Sequence, residues 1–83
     1  MHEMSKPQYI QIRNAEKIFK HKIFKIRGHD FPELINKIKN KISPREGIEL
    51  MKMSNNFEEK WGDYEIYIQV YPSKIKIVDM LED

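Results

Sequence analysis

Apolar residues recur along this chain with two different periods, and the switches between them predict its elements. Tyr9-Ile10-Gln11-Ile12-Arg13 alternates, which predicts a first strand with Ile10 and Ile12 inward. From Asn14 to Arg27 both periods fit. As a strand, Lys22-Ile23-Phe24-Lys25-Ile26-Arg27 buries Phe24 and Ile26, with Asn14-Ala15-Glu16 as the turn of a hairpin. As a helix, Ala15, Ile18, Phe19, Ile23 and Ile26 form a stripe capped by Asn14 and stopped by Gly28. The Ile and Phe content beside an adjacent strand favours the hairpin. Next, Phe31, Leu34, Ile35, Ile38 and Ile42 repeat at helical spacing and predict a helix over 31–42. Asp30 and Glu33 stand where a capping box would place them, and Ser43-Pro44 closes the segment.

Ile48-Glu49-Leu50-Met51-Lys52-Met53 reads as a strand with Ile48 and Leu50 inward. A competing helix start at Ser43-Pro44-Arg45-Glu46 is weakened by Gly47. Ser54-Asn55-Asn56 breaks the chain, and residues 57–62 read as a loop or short turn. Tyr64, Ile66, Ile68 and Val70 then alternate with Glu65, Tyr67, Gln69 and Tyr71. After Pro72-Ser73, a last strand runs from Lys74 to about Met80 with Ile75 and Ile77 inward, completing an antiparallel hairpin. The expectation is a single α+β domain over 8–83 after a flexible lead-in of residues 1–7. It is a mixed sheet of four to five strands crossed by one main helix, in the order ββαβββ. Phe31, Leu34, Ile35 and Ile38 should pack on Ile66, Ile68, Val70, Ile75 and Ile77.

Composition narrows the class. A chain of 83 residues supports one domain that buries roughly 60–65% of its unfolded surface. With 40% apolar and 34% charged residues it fits neither a disordered nor a membrane-embedded chain. No apolar run is long enough to span a bilayer, and Met1-His2-Glu3-Met4-Ser5-Lys6 lacks the apolar stretch of a signal peptide. The absence of cysteine removes disulfides, thiolate metal sites and a cysteine nucleophile. A cytoplasmic or otherwise intracellular location follows as an expectation.

Charge changes the picture most. Residues 1–45 hold eleven Lys and Arg against four Asp and Glu, or +7, while residues 46–83 hold four against nine, or −5. The net charge of +2 thus conceals two opposed halves, a pattern expected of a surface that seeks a partner. The basic candidates are Lys20, Lys22, Lys25 and Arg27. The acidic and aromatic candidates are Glu58, Glu59, Trp61, Asp63, Tyr67 and Tyr71. Tyr67 and Tyr71 share the outward face of their strand, where a rigid ring buries area at low entropic cost. Trp61 fits either an interface anchor or a lid on the core.

Scattered positions resemble the ubiquitin-like β-grasp. Phe24 and Ile26, then Phe31, Leu34 and Ile38, then Gly47-Ile48 resemble ubiquitin's second strand, helix and following Gly-Ile, and Asp63-Tyr64-Glu65-Ile66 is similar to a late run in ubiquitin. Phe57-Glu58-Glu59, Trp61 and the closing strand pair resemble the DIX domain, a ubiquitin-like module that polymerises head to tail. The order of basic then acidic segments is similar to Phox-and-Bem-type domains, without their dense acidic loop. Met80-Leu81-Glu82-Asp83 lacks the Gly-Gly tail of a covalent modifier. The resemblance implies an interaction module rather than a modifier.

Catalytic chemistry is not expected. His2, His21 and His29 form no ligand pair at helical spacing, Ser5, Ser43, Ser54 and Ser73 lack a nucleophile context, and Gly28, Gly47 and Gly62 are too scattered to cradle phosphate. No cofactor is implied. The leading expectation is a non-enzymatic protein–protein interaction module. It would bind a protein partner or another copy of itself, its basic N-terminal surface meeting an acidic C-terminal one, with no membrane. Interleaved Phe19 and Tyr9 keep a small basic nucleic-acid-binding protein as the alternative, although nine acidic residues in the second half count against it. A phage or virus accessory protein that binds and inhibits a host factor shares the same compact, non-catalytic character.

Overall fold

A computed structural model describes residues 6–79. The predicted lead-in falls mostly outside the described residues, as does the expected strand end at Met80. The elements run β1 (Gln8–Gln11), α1 (Ala15–Phe19), β2 (Ile23–Arg27), α2 (Phe31–Ile38), α3 (Pro44–Trp61), β3 (Glu65–Tyr71) and β4 (Lys74–Val78). Short 3-10 turns at Gly28–Asp30 and Lys39–Lys41 flank α2. The chain is α+β, and α3 is its main helix.

The largest departure from expectation is α3. Residues 48–53 are helix rather than strand, and residues 54–61 continue that helix instead of forming a loop. Its start is a reciprocal capping box: Glu46 N donates to Ser43 Oγ, and Ser43 N donates to the Glu46 carboxylate at 3.0 Å. Pro44 occupies the first turn, where its missing N–H costs nothing. Leu50, Ser54, Phe57 and Trp61 form the buried stripe at helical spacing. Ser54 disguises that stripe in the sequence. It is fully buried, and its hydroxyl donates to Met51 O at 2.9 Å, so a polar letter sits on the core face.

Residues 14–27 contain both candidate structures in succession, a one-turn helix and then a strand. Asn14 and Lys20 bracket α1, both with φ 61°. Neither the Asn14 side chain nor that of Asp30 makes the capping hydrogen bond expected of it. The N–H of Lys20 instead closes α1 on Glu16 O, the left-handed end more often given to glycine. The predicted β1–β2 hairpin does not form. The β3–β4 hairpin inserts between these strands, giving the order β1-β4-β3-β2 with every pairing antiparallel, so the sheet is not mixed. The tip of that hairpin holds α1 in place, since Ala15 N donates to Pro72 O and Ile12 N to Ser73 O.

The core lies between one sheet face and the helices. Ile10, Ile66, Ile68, Val70, Ile75 and Ile77 from the sheet meet Phe31, Ile35, Leu50, Phe57 and Trp61. Phe31, Ile35 and Ile38 are buried as expected, and Leu34 is half-buried at the margin. Gly28 and Gly62 let the turn after β2 cross the end of α3 backbone to backbone. A Cβ on Gly28 would collide with Trp61 O and lie 2.9 Å from Gly62 Cα. Among the described residues no helix is long and apolar enough to cross a membrane.

Candidate functional site

The second face of the sheet is where the chemistry collects. Period-2 alternation sends Tyr9, Gln11, Ile23, Lys25, Arg27, Glu65, Tyr67, Gln69, Tyr71, Lys74 and Lys76 away from the core, while Val78, in the same phase, is buried. The register arranges them in cross-strand rows. Tyr71 stands opposite Lys74, and Lys74 opposite Gln11. Ile23 pairs with Gln69, Gln69 with Lys76 and Lys76 with Tyr9. Lys25 faces Tyr67, which faces Val78, and Arg27 faces Glu65.

The face is basic and aromatic. Among the described strand residues, Lys25, Arg27, Lys74 and Lys76 oppose the single carboxylate of Glu65, which lies 3.6 Å from Lys25 Nζ. The Lys74 ammonium sits 5.1 Å from the ring centroids of both Tyr9 and Tyr71, within cation–π range of each. These rings belong to β1 and β3, and the strand between them supplies the cation. Tyr9 and Tyr71 remain 53% and 38% exposed, so both rings can still be approached from solvent.

Of the residues expected on two separate surfaces, Lys25, Arg27, Tyr67 and Tyr71 share this one face, because β2 pairs with β3. Lys20 and Lys22 lie outside the strand, exposed in the segment between α1 and β2. Trp61 is only 9% exposed and belongs to the core, stacked edge-on against Tyr64. Glu58 and Glu59 lie on the last turns of α3 with Asp63 just beyond, away from the open face. The sequence reading did not single out Tyr9, Lys74 and Lys76 together. Their alternation within β1 and β4 was visible, but their convergence depends on β4 pairing with β1.

His29 also gains partners that sequence distance hid. Its Nε2 lies 3.1 Å from Asp63 Oδ1 and its Nδ1 3.4 Å from Glu58 Oε2. Through these contacts the histidine ties the turn after β2 to the end of α3. Among the described residues no group of three or more His, Asp and Glu side chains is arranged to hold a metal ion.

A carboxylate displaced from its ordinary range is structural. Glu46 accepts from Arg13 N at 2.7 Å as well as from Ser43, and these hydrogen bonds, Arg13's first, hold its carboxyl below the usual 4.5 against the opposing effect of burial. Comparison with protein-family models, with curated proteins and with solved structures yields no match to this chain.

Proposed function

We propose that this protein is a non-enzymatic binding module that takes single-stranded nucleic acid on its open sheet face. The observation that carries the reading is the Tyr9–Lys74–Tyr71 cluster, two exposed rings joined by a cation, with Lys76, Lys25 and Arg27 on the same surface. Unpaired bases stack on aromatic side chains while lysine and arginine track the phosphates, and an antiparallel sheet holds both at fixed spacing. Strands about 4.8 Å apart, with outward residues about 6.8 Å apart along each strand, provide a regular grid of such contacts.

The acidic second half counts less against this reading in three dimensions than in one. Glu46, Glu49, Glu58 and Glu59 are carried on α3, and among the described strand residues only Glu65 shares the face with the lysines. Self-association between a basic and an acidic surface draws less support, because the aromatic residues of the acidic half stand among the basic ones.

Fluorescence anisotropy with a labelled oligouridylate of about ten nucleotides tests the proposal. Stacking contributes about 1–3 kcal/mol per base, so Tyr71→Ala should weaken binding roughly 5- to 150-fold without unfolding the protein. Wild-type protein that leaves the oligonucleotide free at high micromolar concentration and low salt would remove it.

A further inference from the structure

The exposed edge of β2 carries a second surface, which borders the sheet face and shares Lys25 and Arg27 with it. The ladder phase shows which backbone groups it offers. Val70 N donates to Lys22 O, and Gly28 N donates to Tyr64 O. Even-numbered residues of β2 therefore bond to β3, and the N–H and C=O groups of Ile23, Lys25 and Arg27 point to the open side. Among the described residues no backbone group takes them up.

Beneath that edge lies an apolar groove of about 320 Å³ between α1, β2 and α2, floored by Ile18, Phe24, Ile26 and Leu34. All four are half-buried at the margin of the core. One of the basic residues expected at a partner surface lines it, and other lysines lie nearby along the chain. Lys25 lines the groove, Lys20 and Lys22 lead into the strand, and Lys37 sits one turn beyond Leu34 on α2.

We propose that this edge receives an extended, alternating acidic and apolar segment of a partner protein, which adds to the sheet as a fifth strand beside β2. Its main chain would pair with Ile23, Lys25 and Arg27. Its inward apolar side chains would enter the groove, and its outward carboxylates would stand across from Lys25 and Arg27. A second copy fits less well. Pairing β2 with another β2 sets like charges opposite one another, and β1 (Gln8-Tyr9-Ile10-Gln11) brings no carboxylate. Lysine on an exposed edge also guards against aggregation, but that role needs no apolar groove beside it.

The test uses a synthetic peptide of about nine residues alternating Glu with Val and Ile, and its counterpart with Lys for Glu. Binding is read by anisotropy and by amide hydrogen exchange in ¹⁵N-labelled protein. The acidic peptide should bind and slow exchange at Ile23, Lys25 and Arg27, while the Lys counterpart does not. The Lys22→Glu, Lys25→Glu double variant should weaken it at least about tenfold, and Tyr71→Ala should bind it as wild type does, which separates this surface from the nucleic-acid face. Failure to bind at millimolar peptide would overturn the proposal. So would equal binding of the Lys peptide, binding that leaves the three edge amides unprotected, or protection already present in the free protein that dilution reverses.

Discussion

Glycine positions carry opposite expectations here because each meets a different neighbour. Gly47 lies in the first turns of α3, where a Cβ would sit 3.7 Å from Ile42 Cδ1 in ordinary contact. Gly47→Ala should therefore stabilise the protein by about 0.5–1 kcal/mol, through helix propensity and a less flexible unfolded chain. Gly28→Ala should cost about 3 kcal/mol or more, since its Cβ runs into the backbone of Trp61 and Gly62, which cannot swing aside as a side chain could. Lys20, left-handed at the end of α1, is a place where glycine should be neutral or better by up to about 1 kcal/mol. Urea denaturation of the three variants reads these signs directly, and a destabilised Gly47→Ala protein would contradict the helical assignment of 44–61.

At the scale of elements, one carboxylate joins two parts of the fold. Glu46 completes the cap of α3 and also accepts from Arg13 N just past β1, 33 residues away in sequence. Its lowered pKa fixes the sign of a pH effect. The unfolded chain binds the proton more readily, so the contribution is complete above about 4.5 and is lost as pH falls through the lower folded value. Glu46→Gln should flatten the acid limb of the stability curve, and Ser43→Ala should cost about 1 kcal/mol at neutral pH. Ile35→Ala, at a fully buried position of α2, should cost about 2–5 kcal/mol. The inward alternation of β3 and β4 and the start of α2 were legible in the sequence because each follows a single clean period. The length of α3 was not, because Gly47 lowers its propensity and Ser54 breaks its apolar stripe. The cap Ser43-Pro44-Arg45-Glu46 was the signal present for it.

Whole-molecule charge looks different once the chain is folded. The +7 and −5 halves are sequence segments rather than surfaces, because pairing β2 to β3 and β1 to β4 interleaves them. What emerges is a basic aromatic sheet face, with four acids of the second half on α3. That sorting was not legible beforehand, since it depends on the β3–β4 hairpin entering between β1 and β2. It has an electrostatic signature. If Lys25, Arg27, Lys74 and Lys76 all meet phosphates, log K should fall with log salt at a slope near −3, and each lysine removed should lessen it by about 0.7. The most direct measurement maps the contact itself, by titrating an oligouridylate of about ten nucleotides into ¹⁵N-labelled protein at low salt. Amide shifts concentrated at Tyr9, Lys25, Tyr67, Gln69, Tyr71, Lys74 and Lys76 are the predicted result. A spectrum that does not move, or shifts confined to the solvent side of α3 around Glu49, Lys52 and Lys60, would contradict the assignment of the sheet face.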